Sequence, residues 1–534
     1  MNRKSLVLPV LAGLMTSTLA GCGGTDGAGS DDGAIVVGST DRIEASKVAN
    51  APLDPAQAYD FASWSVLHST FQTLMRLPRS GTDPIPDAAE QCGFQDRQSE
   101  QYRCKLRKGL KFSNGHDLTS ADVKFSLERV LRIKDQSGVW SLLSNVDKVE
   151  TPNDREVVIH LASPDATFPS KLTTPAAAIV DSEVYKKGAV HKGFDVVGSG
   201  PYTATTEVRD NRLTKVVFTK NSQYQGDIQP RSDTLEMRFF DDAKTMEKAL
   251  TKGDVDVVNR GFSPEQIERM DTEGVDGIQL QETSGQGIRY LVFDTSAPVV
   301  KNKAVRQAIA RIVDRQALVR DVYKRTAEPL YSMVPNNISS HTNSFHNEYG
   351  DPDVGAARDL LQQAGVETPV QLTLTYTTDH YGPETAQEFK KLQAQLNASG
   401  LFSVRIKGVK WTEFRPAVVK REYAVYGMGW LPDFPDPDTY VAPFLTKDNW
   451  LNSPYHNKTV QDELIPRTRQ EAQRALAVKD LQRIQDIVAG DVPYLPLWQG
   501  KQYVAARDGV VGTEYLLDAS SMLQLWELGR TSDG

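Results

Sequence analysis

Two hydrophobic rhythms alternate along this chain, and the changes between them mark its elements. Ala34 to Gly38 is a short β-branched run that reads as a first strand. Pro52-Leu53-Asp54-Pro55 makes a turn, and Ala58 to Met75 carries the apolar spacing of an amphipathic helix. Tyr102 to Leu106 alternates polar and apolar residues, as a half-buried strand does, and Asn114-Gly115 follows as a tight turn. Thr119 or Ser120 can cap the next helix, with Asp122 in its first turn. Further on, Ala356 to Ala364 reads as a helix closed by Gly365 and Leu372 to Tyr376 as a strand. Pro383 to Ser399 is a longer helix closed by Gly400, and Val404 to Val409 is another strand. That β-α-β order predicts a parallel sheet with crossover helices, and so an α/β fold. Gln461 to Ala489 holds two more helical patterns, and Val492 to Trp498 is an apolar extended segment suited to a crossing between lobes.

The most informative stretch is Gly429 to Tyr440. A buried-strand run, Ala424 to Met428, leads into it. The chain then breaks into a loop with three prolines, three aspartates and three aromatics. Proline fixes φ and stops a helix or central strand, so this is a rigid loop at a strand end, where open α/β sheets hold their ligands. Trp430 and Phe434 offer flat apolar surface, and Asp433 a carboxylate that can pair with a cation. Such a loop suits a ligand with an amino group and an apolar body. The same residues also read as a proline-rich surface turn with solvated acids.

The length, 534 residues, allows two or three domains. With 39% hydrophobic and 24% charged residues, the composition is that of an ordinary globular protein. The formal charge of −8 argues against nucleic acid as a partner. The N-terminus carries Arg3 and Lys4, then a mostly apolar stretch from Leu6 to Leu19, then Leu19-Ala20-Gly21-Cys22. This is the lipobox pattern of bacterial lipoproteins: residues 1–21 are a signal peptide, and the thiol of Cys22 takes the lipid. An ordinary secretory signal is the alternative. Gly23 to Gly33 is rich in Gly, Ser and Asp and reads as the rest of a flexible tether over 22–33. Two acyl chains anchor stably, which places the protein on the extracytoplasmic face of a cell membrane without a spanning helix. With Cys22 lipidated, Cys92 and Cys104 remain, 12 residues apart; in an exported protein they pair as a disulfide across a hairpin.

With these elements in order, a family resemblance emerges. Leu106 to Leu127, with its Leu106-Arg107, Gly109, Lys111-Phe112, Gly115, Thr119 and Asp122-Val123, resembles the signature of extracytoplasmic solute-binding proteins of the peptide/nickel ABC-transporter class. Gly198-Ser199-Gly200-Pro201-Tyr202, the unit Glu236 to Asp256, Arg289 to Asp294 with Val305 to Arg315, and Gly429 to Pro437 are similar to later motifs of that class. The likeness runs from about residue 34 to about 515. It implies a two-lobe periplasmic-binding-protein-like fold with an extra domain and a ligand cleft between the lobes. Lobe I takes 34–82, 198–287 and 498–534; the extra domain takes 83–197; lobe II takes 288–497. It implies no enzyme activity and no cofactor, a monomer, and a short peptide and ABC permease subunits as partners. Asp433 matches the residue that meets a peptide's α-amino group, Trp430 a cleft tryptophan and Trp411 a lining of side-chain pockets. Gly429 admits the ligand backbone. Trp411 also reads as a core aromatic, and Gly429 as a turn residue needing positive φ. One departure bears on the ligand. Dipeptide-specific members carry a carboxylate-binding arginine after the strand matching Leu372 to Tyr376, whereas this chain has Thr377 to Gly382 without one. That favours an oligopeptide over a strict dipeptide. An oligosaccharide or a nickel chelate is the alternative ligand.

Rivals from other classes are a secreted hydrolase and a surface lipoprotein that signals. No Gly-x-Ser-x-Gly, His-Glu-x-x-His or Walker motif supports catalysis. His341 and His346 lie in a polar stretch and read as solvated loop histidines. Asp433, Asp436 and Asp438 lack the glycine and glutamate of a calcium loop, which leaves no metal site expected.

Overall fold

Two long antiparallel strands, Ile278–Phe293 and Tyr494–Arg507, form the spine of the molecule in the computed structural model. The structure describes residues 33–531 apart from 48, 136, 137 and 448, so the signal segment and Cys22 lie outside the described residues. The two spine strands pair over nearly their full length, with register shifts at Ser284/Ile288 and Arg289/Tyr290. A bulge bends and twists a ribbon. Here it falls where one half of the protein gives way to the other.

On the near side of the bulge the sheet continues through Val257–Val258, Ile35–Ser39, Thr234–Phe239, Arg212–Lys220 and Tyr202–Arg209. On the far side it continues through Val425–Trp430, Val370–Thr377 and Phe402–Val409, with Ala327–Pro329 paired to the second spine strand. Val370–Thr377 runs parallel to both neighbours, and helix Thr385–Ala398 connects it to Phe402–Val409. The expected β-α-β unit is therefore present, and Gly400 closes its helix at φ 70°. Strand Val425–Trp430 is buried through Met428 because a helix covers it. Phe389 of that helix packs so closely that a Cβ on Gly427 would sit 2.3 Å from the ring.

Each half has its own core. One runs through Val37, Leu67, Phe112, Phe218 and Leu235 and takes in Val504 and Leu525 from the C-terminal segment. The other gathers Leu291, Ile309, Phe389, Val425 and Leu481. Within the first half sits a separate antiparallel sheet in the order Ala89–Phe94, Gln101–Leu106, Glu156–Leu161, Val146–Asn153. Cys92 and Cys104 are direct partners across its first hairpin and form a disulfide. Helix Ser120–Ile133 packs against this sheet. Thr119 is its cap, with the Thr119 N–H and hydroxyl both donating to the Asp122 carboxylate at 2.9 and 3.0 Å.

The expected helix over 58–75 is shorter and buried on nearly every side. It spans Phe61–Thr70, starting where Asp60 accepts the Ser63 N–H at 2.9 Å. The chain beyond it leaves helical geometry so that Met75 and Arg76 can pair with Pro86 and Ile85. Among the described residues no helix is long and apolar enough to cross a membrane.

Candidate functional site

The loop after strand Val425–Trp430 is buried almost throughout, with only Leu431 well exposed, at 48%. Burying three carboxylates in one loop needs counter-charges, and two of the three have them. Asp438 accepts from Arg469 Nε and Nη2 at 3.2 and 2.9 Å. Asp436 accepts from Arg474 Nε and Nη2 at 2.7 and 2.8 Å while its Oδ1 also takes the Asp438 N–H. Arg469 lies in helix Ile465–Gln470 and Arg474 opens the short 3-10 turn Arg474–Ala477 just beyond it, so these forks clamp the loop onto the second core. The acidic run is thus structural at two positions.

Asp433 is the exception. It is 9% exposed and has no arginine or lysine in ion-pair contact among the described residues. The hydroxyl of Tyr59, which belongs to the other half of the molecule, stands close enough to its carboxyl to favour the ionised form, and the Asp433 N–H donates to Thr439 Oγ1 at 3.4 Å. Lys171 is near enough to be felt but is held by Asp165 at 2.6 Å. Burial therefore dominates and raises the Asp433 carboxyl to about 7, against the opposing pull of Tyr59 and Lys171. The halves also touch beside this point, where the Ala166 N–H donates to the Arg469 carbonyl at 2.6 Å and Ser99 Oγ to the Gln470 carbonyl at 3.1 Å.

The sign of the resulting pH dependence is fixed. The native state holds a proton on Asp433 that the unfolded chain releases near ~4. This contribution to stability is complete below ~pH 4 and is lost as pH rises through about 7. Asp518 and Asp87, raised by burial to about 7 and about 6, act in the same direction. Denaturant titrations of ligand-free wild-type and Asp433→Asn protein between pH 4.5 and 7.5 are expected to differ in slope, the variant falling less. Parallel curves would refute a buried proton at Asp433.

The aromatic candidates fall in two groups. Trp430 stands edge-on to Phe444 and Trp450, with ring centroids 5.2 and 5.6 Å away, and its buried Nε1 has no partner among the described residues. Phe434 is 3% exposed and belongs to neither main core. Trp411, at the strand–helix junction, stacks on His380 with centroids 3.7 Å apart and meets Tyr381 edge-on at 5.8 Å. Burial, helped by Arg289, lowers the His380 pKa to about 4 and keeps the stacked ring neutral at pH 7. Gly429 does not have positive φ; the space a Cβ would need is filled by Arg289 Nη1 at 2.7 Å and Tyr381 Cε1 at 3.0 Å. His341 is not simply solvated: Nδ1 lies 2.7 Å from the Val334 carbonyl and Nε2 3.2 Å from Asn343 Oδ1.

Reading the sequence did not single out Tyr59, His380, Tyr381 or a site role for Arg289. Tyr59 follows the first strand and its turn, a position where ligand loops occur, and this was its one local signal. Arg289 is a lone charge at the head of the apolar run Ile288 to Phe293, which is itself unusual for a buried strand.

Comparison with known proteins agrees with this architecture. A family model described as Bacterial extracellular solute-binding proteins, family 5 Middle, matches residues 83–452. The chain is 23% identical over 473 residues to the probable D,D-dipeptide-binding periplasmic protein DdpA of Escherichia coli, covering 86% of this chain and 88% of that one. It is 23% identical over 527 residues to the oligopeptide-binding protein OppA of Bacillus subtilis, covering 93% and 94%. Among solved structures, the ABC transporter-associated periplasmic binding protein DppA of Helicobacter pylori, in complex with peptide STSA, superposes with a TM-score of 0.74 at 20% identity, covering 94% and 98%. The fold is the mixed α/β fold of the periplasmic binding proteins.

Proposed function

The chain belongs to family 5 of the bacterial extracellular solute-binding proteins, and on that premise we propose that it is the lipid-anchored receptor of an ABC importer for short peptides. Members of this family bind solutes and are not enzymes. In this reading lobe I is 34–82, 198–287 and 498–534, the extra domain is 83–197, and lobe II is 288–497. Cys22 carries the acyl chains and residues 22–33 tether the domains to the membrane. The lobes close on the ligand about the bulged spine, and the permease subunits read the closed form.

One observation supports the peptide assignment: Asp433, a buried carboxylate with no cation paired to it among the described residues, faces Tyr59 across the two halves. A peptide ammonium would supply the missing charge, and a closed dry cleft makes that pairing strong. Trp430, Phe434 and Trp411 supply apolar surface for side chains, and the end of strand Val425–Trp430 beside Gly429 supplies backbone groups for strand-like pairing. The names of relatives, oligopeptide-binding and D,D-dipeptide-binding, fit such a ligand. The absence of an arginine in 377–382 favours a peptide longer than two residues.

Native mass spectrometry of protein purified from its own host, with tandem sequencing of what is released, tests this. Peptides of several lengths and sequences are expected. A single non-peptide mass would overturn the peptide assignment and leave the receptor class intact.

A further inference from the structure

The spine loses its regular pairing where the two halves meet, and a cavity opens beside the break. Between Ser284 and Ile288 the first spine strand sets Gly285, Gln286 and Gly287 against Gly500 alone on the second. The backbones close up there, since a Cβ on Gly285 would sit 2.3 Å from the Gly500 carbonyl oxygen. A bulge re-aims the side chain it carries, and here that side chain is Gln286. Its backbone carbonyl takes the Tyr440 hydroxyl at 2.9 Å. Its side chain is 6% exposed, and Oε1 is buried without a partner among the described residues. An acceptor buried and left idle is costly unless a donor joins it.

Gln286 lines a cavity of about 250 Å³. Its walls are the two spine strands, the C-terminal segment 513–521, and Asn337 from the half built on the second core. Asn337 Nδ2 donates to the Ser284 carbonyl at 3.4 Å, which ties that wall to the spine. None of Tyr59, Trp411, Gly429, Trp430, Asp433 and Phe434 lines this space.

The lining decides what fits. Side-chain amides come from Gln286, Gln502 and Asn337, and hydroxyls from Thr283, Thr513 and Ser521. Asp518, 8% exposed, adds a carboxylate whose Oδ1 takes the Ser520 and Met522 N–H groups at 2.7 and 3.0 Å. Its Oδ2 stands 3.8 Å from His68 Nε2, beyond hydrogen-bond range. The lining residues include no lysine, arginine or histidine, so an anion would find no charge to balance it. The other carboxylate, Glu514, is exposed, and a cation paired to it there would gain little. A hydroxyl both donates and accepts, which matches amides and satisfies the idle oxygen. Val504 and Leu517 give an apolar wall suited to the C–H face of a ring. The volume equals that of roughly eight waters, enough for a hexose-sized molecule.

We propose that this cavity is a second binding site, for a neutral polyhydroxylated molecule of the size of a mono- or disaccharide, with Gln286 Oε1 accepting one of its hydroxyls. The site is separate from the Asp433 loop and independent of the peptide reading above.

The test is calorimetric titration of the unaltered protein with glucose, galactose, maltose and sucrose, repeated on Gln286→Leu, Gln502→Leu and Trp411→Ala. At least one sugar is expected to bind the unaltered protein. Gln286→Leu is expected to weaken it about 10-fold, the loss of one buried hydrogen bond, and Gln502→Leu to weaken it as well. Trp411→Ala is expected to leave the sugar affinity unchanged, because Trp411 lies outside the cavity. A sugar affinity that survives in both glutamine variants, or that falls in Trp411→Ala, would overturn the assignment by placing the sugar elsewhere. Binding of none of these sugars, or of spermidine in their place, would overturn it too. Thermal melting reports the fold of each variant; if Gln286→Leu does not fold, Gln502→Leu, at a half-buried position, decides the matter.

Discussion

Asp433→Asn is expected to weaken binding of a tripeptide with a free amino end by about 100-fold and to weaken its N-acetylated form far less. The asparagine keeps the size of the side chain and still presents an oxygen acceptor to the neighbouring Tyr59 hydroxyl. What it removes is the negative charge. An ammonium brought into a buried site without its partner forfeits most of what a desolvated pair provides, about 3–4 kcal/mol, which is two to three orders of magnitude in Kd. An acetylated end brings no charge and loses only a hydrogen bond. Calorimetry on the two peptides and two proteins separates these cases, and equal losses for both peptides would remove the amino-anchor role. The protonation of Asp433 adds a second signature. With its carboxyl at about 7, capture of an ammonium at pH 6 is accompanied by proton release, and the variant releases none at this position.

The largest effect on stability is expected at Arg129, far from the ligand loop. Arg129 and Asp54 are each 1% exposed and meet as a fork, with Nη1–Oδ1 and Nη2–Oδ2 distances of 2.8 and 2.5 Å. Every remaining group has a partner. Arg129 Nε donates to the Lys186 carbonyl at 2.8 Å and Nη2 to the Ala189 carbonyl at 2.9 Å. Asp54 also takes the N–H groups of Ala56 at 2.8 Å and His191 at 2.5 Å. The network ties the turn after the first strand to helix Ser120–Ile133 and to the chain returning toward the large sheet. Arg129→Met leaves Asp54 charged, buried and short of its cation, and is expected to lower the unfolding free energy by about 3–5 kcal/mol. Replacing both residues with apolar ones of similar size is expected to restore part of the loss, because the stranded charge is then gone. Urea denaturation measures both. A single-variant loss below ~1 kcal/mol would show that the pair is not holding these segments together.

The contrast between these two aspartates explains how much of the molecule could be read without coordinates. Asp54 stood in the sequence as one residue of a proline turn, and Asp433 as one of three acids in a proline-rich loop. Nothing local distinguishes a carboxylate that will be forked by arginine from one that will be left alone. Asp436 and Asp438 find Arg474 and Arg469 more than thirty residues downstream, and Asp54 finds Arg129 across 75. Only folding determines which acids acquire a cation.

The sequence by itself determined what depends on neighbours along the chain: the β-α-β unit around helix Thr385–Ala398, the cap at Thr119 with Asp122, the hairpin that brings Cys92 opposite Cys104, and the break after Val425–Trp430. Periodicity, capping and proline geometry act over a few residues, so a short window contains their cause. Tertiary structure alone decided the length of helix Phe61–Thr70, cut short so that the chain beyond it could pair. It decided that Gly429 makes room for Arg289 and Tyr381, and that Tyr59 meets Asp433. Those outcomes depend on burial and on charges brought together from distant segments. The energy of a buried charge is set by everything within a few ångströms of it, and that surrounding exists only once the chain has folded.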